Sequence, residues 1–308
     1  MLSSGINLME VNLSQRNYTK DFFASFGQEK ISGIHISQSL FSSNAKTDLQ
    51  FLSSIKNKSA LKVLLVDVAI SSGKAVDYIY LFENLIELSI INTSATTVFL
   101  DLNRLPRLRF LSVSGKIQCI GSETASLKSL RINHGILTEI NSSTIENLSL
   151  AYVNWPDLNA VKGLCSVKKL IITKAKITAL APLDCFKELE NIEIAYCPQL
   201  VHIEELAGCS KLKKLEIECC KKIENYECLS ELKALQGLVV SNCGNIPSIR
   251  FINDMPALKF FSFVDTNIVD GDLTPCLRLE YVGTMDKRHY NIKVRDLPHR
   301  FKGSFHNI

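Results

Sequence analysis

Little in this chain looks like reaction chemistry. Its 308 residues include one tryptophan, four methionines, eight prolines and six histidines. There is no G-x-x-x-x-G-K-[ST] or G-x-G-x-x-G loop to cradle a phosphate. There is no H-E-x-x-H helix to hold zinc and no G-x-S-x-G elbow to present a serine. Three of the histidines, His289, His299 and His306, lie in the C-terminal tail, and His134 has no Cys or Ser at a dyad spacing. These absences argue against an enzyme, and no cofactor or metal is required. No run of about 18 apolar residues occurs, so no transmembrane helix is expected. The opening MLSSGINLMEVNLSQRNYTK has no basic start followed by an apolar core, so no signal peptide is expected. Ten cysteines are present, yet no two have C-x-x-C spacing, which argues against a zinc ribbon. Reduced core thiols fit a cytoplasmic protein.

What the chain does have is apolar periodicity. Hydrophobic residues are 46% and charged residues 21%, a globular composition. From Leu189 to Ala257 three segments of 23 residues superimpose: LENIEIAYCPQLVHIEELAGCSK, LKKLEIECCKKIENYECLSELKA and LQGLVVSNCGNIPSIRFINDMPA. Seven apolar columns repeat, among them Ile192/Leu215/Leu238, Ile194/Ile217/Val240, Cys197/Cys220/Cys243 and Leu206/Leu229/Ile252. The segment L-x-x-L-x-L reads as a short strand, since alternate side chains point to one side. The Cys column follows at the turn, and the last columns carry the chain back. One such unit cannot bury its apolar edge alone, but a stack of them can.

The same start recurs at Leu61, Leu85, Leu108, Leu127, Ile145, Val167, Leu189, Leu212, Leu235, Leu258 and Leu279, with a weaker one in ISGIHIS. The repeats starting at Leu108 and Leu127 are only 19 and 18 residues long. They have almost no room for a helix, so their return should be extended. TDLQFLSSIKN, with Leu49, Leu52 and Ile55, reads as a helical return. Residues 1–30 are expected to be an N-terminal cap containing FFASFG, residues 31–284 the repeats, and residues 285–308 a closing basic segment. That last segment has six Lys/Arg against two Asp, a net of +4 that equals the net charge of the whole chain.

A fixed period of 22–23 with L-x-x-L-x-L-x-x-C/N resembles the leucine-rich repeat family, of the bacterial and phosphatase-regulator type. The resemblance implies an α/β fold: a solenoid with a curved parallel sheet of about 12 short strands on the concave face and short helices or extended turns on the convex face. It also implies recognition of another macromolecule and no shared catalytic residues. The closing Lys287-Arg288-His289-Tyr290 resembles the end of bacterial leucine-rich repeat proteins, some of which are immunity proteins beside toxin genes.

Strand alternation places the third, fifth, seventh and eighth residues of each strand unit outward. In the second turn these include Glu87, Ser89 and Asn92. The expected partner-binding residues are Arg131, His134, Tyr152, Lys169, Lys174, Glu193, Tyr196, Lys214, Glu216 and Glu218. Arg131, Lys169 and Lys174 form a basic group beside the acidic Glu193, Glu216 and Glu218. Tyr152 and Tyr196 fall on the same eighth position two turns apart, and such aromatics make good interface anchors. The alternative is a solvated sheet on which Glu193, Lys214 and Glu216 neutralise one another.

The expected function is therefore a monomeric, non-catalytic protein-binding module, with a toxin as one class of partner. The alternatives are a phosphatase-regulator-like adaptor, or nucleic-acid or anionic-surface binding by the basic tail with Tyr290, Phe301 and Phe305 interleaved. A tail that only caps the stack is preferred over the nucleic-acid reading.

Overall fold

The structure is a computed structural model that describes residues 8–13, 32–38, 46–121, 126–137, 140, 142–301 and 305. The chain divides into two compact units, Met1–Ile145 and Glu146–Ile308. The expected FFASFG cap lies outside the described residues.

The first unit contains β1 (Leu8–Asn12), β2 (Gly33–Ser37), β3 (Val63–Val68), β4 (Glu87–Asn92), β5 (Val98–Asp101), β6 (Phe110–Gly115), β7 (Ile117–Ile120), β8 (Ser129–Asn133) and β9 (Ile136–Leu137). The strands β1-β2-β3-β4-β6-β8 pair in that order, all parallel. β1 precedes the first strand expected from the sequence. The returns of the two short repeats are strands, β7 and β9, which join β5 in a second parallel sheet. The extended return expected from their length is thus what forms, since a strand spans more distance per residue than a helix. TDLQFLSSIKN holds a 3-10 turn at Leu49–Ser54, begun by the Asp48 carboxylate accepting from the Gln50 amide.

The second unit contains β10 (Asn147–Ala151), β11 (Lys169–Thr173), β12 (Asn191–Ala195), β13 (Lys214–Glu218), β14 (Gly237–Ser241), β15 (Gly244–Ile246), β16 (Phe260–Ser262), β17 (Thr266–Ile268) and β18 (Tyr281–Gly283). The strands β10-β11-β12-β13-β14-β16-β18 form a parallel sheet, and β15 pairs with β17. Register sets the core. Ile192, Leu215 and Leu238 sit side by side, as do Ile194, Ile217 and Val240, all at most 1% exposed. Behind them the return runs through 3-10 turns such as Glu204–Gly208, Glu227–Glu231 and Arg250–Asp254, which bury Leu206, Leu229 and Ile252. No α-helix occurs among the described residues.

The Cys column is a small-residue column. Val153, Ala175, Cys197, Cys220 and Cys243 are all buried where each strand turns. The thiol of Cys243 lies 3.2 Å from the Ser241 carbonyl, and burial pushes its pKa up to about 11. Thr266 ends the column, its hydroxyl accepting from the Cys243 amide and donating to the Val240 carbonyl. Cys219 is half-buried while Cys220 is buried, the outward-inward pair expected of one turn.

Residues 285–301 close the last strand. Val282 donates to the Pro298 carbonyl and Arg300 to the Glu280 carbonyl, so the open edge of β18 gains an antiparallel neighbour. Tyr290 is buried, and its hydroxyl accepts from the Ile268 amide at 3.1 Å. Gly271, at φ +68°, lets the backbone of His289 come close where a Cβ would collide.

Candidate functional site

In the second unit the side chains that strand alternation turns away from the core make an outer face. Lys169, Asn191 and Lys214 form one row, and Ile171, Glu193, Glu216 and Val239 the next. All are half-buried, because each is flanked by neighbours on adjacent strands. Lys169 Nζ lies 2.7 Å from Glu193 Oε1. That pair neutralises itself, with Lys169 rather than the Lys214 of the solvated-sheet alternative as the partner of Glu193, and such a half-exposed pair contributes little to stability. Glu193 and Glu216 are directly opposite in register. Lys214 Nζ sits 5.6 Å from the Phe305 ring centre, and burial together with Lys169 holds its pKa below the usual lysine value. At the C-terminal end of this face Phe260 stacks on Tyr281 at 4.5 Å and meets Phe301 and Phe305 at 5.6 and 5.3 Å.

A second row runs along the ends of the strands, at the eighth position of each repeat. Tyr152, Lys174, Tyr196, Cys219, Asn242 and Asp265 all adopt positive φ between 50° and 56°. The cause is the turn itself. In the first five the residue's amide reaches the carbonyl of the next repeat, from Tyr152 to Thr173, Lys174 to Ala195, Tyr196 to Glu218, Cys219 to Ser241 and Asn242 to Val264. The left-handed conformation costs an ordinary residue about 1 kcal/mol and suits Gly or Asn. Here it carries a lysine and two tyrosines, Tyr152 and Tyr196, 42% and 47% exposed.

These side chains touch one another. Lys174 Nζ donates to Tyr152 Oη at 2.9 Å, which holds the lysine pKa above its ordinary value. Asn242 Nδ2 donates to Cys219 Sγ at 3.1 Å. Glu218 beside Tyr196 pushes the phenol pKa up.

Of the residues expected at the site, Tyr152, Lys174 and Tyr196 come together in the strand-end row. Lys169, Glu193, Lys214, Glu216 and Glu218 share the outer face beside it. Arg131 and His134 are exposed on and just after β8 of the first unit, His134 at positive φ as well.

One outward assignment is corrected: Asn92 is 4% exposed. β4 stays paired with β3 and β6 through Asn92, so the alternation continues and Leu88, Ile90 and Asn92 are all buried. The Asn92 Oδ1 accepts from the Ile70 and Ser94 amides, and its Nδ2 donates to the Thr96 carbonyl. Cys219, Asn242 and Asp265 were not singled out as one strained row with Tyr152, Lys174 and Tyr196; the shared eighth position was the available signal.

Among the described residues no group of three or more His, Cys, Asp or Glu is placed to hold a metal ion. His35 pairs with Glu10, His202 with Glu204, and His289 Nε2 with the Ile268 carbonyl. In the tail, Lys287 Nζ bonds Asn267 Oδ1 at 2.9 Å, and the three aromatics named for base stacking pack against the protein.

No family model matches the sequence, and no curated protein matches it. Solved structures do. An internalin from Listeria monocytogenes is 18% identical, with a TM-score of 0.57, over 82% of this chain and 79% of its own. A leucine-rich repeat protein from Leptospira interrogans is 17% identical, with a TM-score of 0.52, over 90% and 78%. Mouse RP105, seen in complex with MD-1, is 15% identical, with a TM-score of 0.50, over 90% and 62%. The repeat pattern, the parallel sheets and these likenesses agree: the chain has the leucine-rich repeat fold.

Proposed function

We propose that this chain is a non-catalytic protein-binding module whose second unit meets a partner protein through the outer face of β10–β14 and the adjoining strand-end row. The observation that carries this reading is the exposure of Tyr152 and Tyr196 at left-handed positions, where smaller residues would be less strained. Folding gains nothing from a large exposed ring there, while an interface gains apolar area with a polar tip. Beneath them the apolar columns are fully buried, so the platform is rigid and little ordering is needed on binding. RP105, which shares the fold, is seen with a protein partner.

The test is capture of binding proteins from the source cell with the wild-type chain and with Asn191→Arg. Asn191 is half-buried in the middle of the outer face, so the long cation obstructs a partner without entering the core. A partner retained by the wild type and lost by the variant, at unchanged melting temperature, supports the reading. A partner retained equally by both refutes it. The narrower reading, an immunity protein that covers a toxin's active surface, requires that the captured partner be toxic when expressed alone and harmless when co-expressed with this chain. Nucleic-acid binding by the tail is the weaker reading, because Tyr290, Phe301 and Phe305 are engaged within the fold.

A further inference from the structure

The outer face carries both signs of charge, whereas from Tyr152 to Tyr196 the strand-end row of the second unit carries only the charge of Lys174, and its acidic member, Asp265, lies at the far end. Lys174 stands in the left-handed row between Tyr152 and Tyr196. Its interactions are with the phenol of Tyr152: the hydrogen bond to Oη, and the ring centre 5.1 Å from Nζ. Two residues on, Lys176 is exposed on the same edge, and Lys221 and Lys222 occupy the matching loop two repeats later. Among the described residues none of these four lysines is in a salt bridge, and Lys222 bonds only the neutral Gln199. The contrast lies a few residues away, before the strands, where Lys168, Lys211, Lys213 and Lys259 each pair with a glutamate of a neighbouring repeat. This fold neutralises lysines readily across repeats. On the strand-end edge it leaves them unneutralised beside two exposed tyrosines.

We infer that the edge formed by Tyr152, Lys174, Tyr196 and Lys176 is a docking site for an acidic segment of the partner protein, one bearing closely spaced Asp or Glu side chains. This rests on the protein-binding reading and names the chemistry of one contact in it. An ammonium group offers three donors, and Lys174 spends one on Tyr152, leaving two directed outward for a carboxylate. The tyrosines flank that point about 5 Å to either side, one strand spacing. They give a peptide backbone apolar surface to lie on. Glu218, near Tyr196, is the carboxylate that borders the site, so the acidic segment docks toward the Tyr152 and Lys176 end. A nucleic acid would need open ring faces for base stacking, and the Lys174 ammonium already stands over the ring of Tyr152.

Fluorescence anisotropy with labelled deca-glutamate, and with oligothymidylate of matched charge, tests this at low ionic strength. Saturable binding of the peptide is expected, with Lys174→Ala/Lys176→Ala weakening it about tenfold or more. Lys162→Ala/Lys187→Ala, which removes two exposed charges from the return side of the same unit, is expected to leave it within about twofold. Absence of saturable peptide binding, equal loss in both double variants, or tighter binding of oligothymidylate overturns the inference. If the peptide fails while partner capture still responds to Asn191→Arg, the edge is refuted and the sheet-face reading stands. If capture does not respond to Asn191→Arg, the sheet-face reading has failed whatever the peptide does.

Discussion

Leu215→Ala is the sharpest test of register. Leu215 is the second residue of β13, with none of its surface exposed. Its lateral neighbours are Ile192 and Leu238, themselves at most 1% exposed. A leucine-to-alanine change in a core costs about 2–5 kcal/mol, the larger values applying where surroundings cannot collapse into the void. Here the neighbours are pinned by parallel ladders on both sides, so a loss of about 3–4 kcal/mol is expected. Val239→Ala, on the outer face and half-buried, should cost under about 1 kcal/mol. Trp155, the only tryptophan in the chain, lies in the same unit and reports unfolding by fluorescence in a urea titration. A Leu215→Ala loss below about 0.5 kcal/mol, or an equal loss for Val239→Ala, refutes the assignment of faces.

Other outcomes follow from the same geometry. Asn92→Ala strands the buried amide of Ile70 and the part-buried amide of Ser94 and should cost the first unit about 1–3 kcal/mol, read by urea denaturation. Tyr290→Phe removes the hydroxyl that accepts from the Ile268 amide, and should cost about 1 kcal/mol in the same assay. Burial raises Cys119, Cys209 and Cys276 to about 12 and Cys228 and Cys243 to about 11. The unfolded chain ionises these thiols first, so their stabilising contribution is full below the unfolded thiol pKa and is lost as pH rises through the folded values. Melting temperature in reductant should therefore fall steadily above about pH 9. Replacing both Tyr152 and Tyr196 by Ala should weaken partner binding by about 2 kcal/mol or more with melting temperature nearly unchanged, as calorimetry would show.

The sheet was legible wherever apolar alternation coincided with the 23-residue period, as in Ile192, Leu215 and Leu238. β1 was not, because among its five residues only Val11 is buried and no alternation shows. Asn92 misled because a polar residue at an eighth position reads as exposed, and only its four hydrogen-bonding neighbours in space reveal otherwise. The extended returns of the two short repeats were legible from length alone. At the candidate site the shared eighth position of Tyr152 and Tyr196 was visible. Its left-handed backbone was not, since a Tyr or Lys there contradicts local preference and is imposed by the inter-repeat hydrogen bond. The pairing of Lys169 with Glu193 needed side-chain geometry, and so did the packing of Phe301 and Phe305 on Phe260.

Hydroxyl-radical footprinting of the chain with and without its captured partner tests the central claim most directly, because it reads side-chain exposure residue by residue. Protection of Tyr152 and Tyr196 is predicted, while Phe99 and Phe110 of the first unit, 51% and 46% exposed, keep their free labelling rates. Free-rate labelling of both tyrosines in the complex, with protection at Phe99 or Phe110, would contradict it.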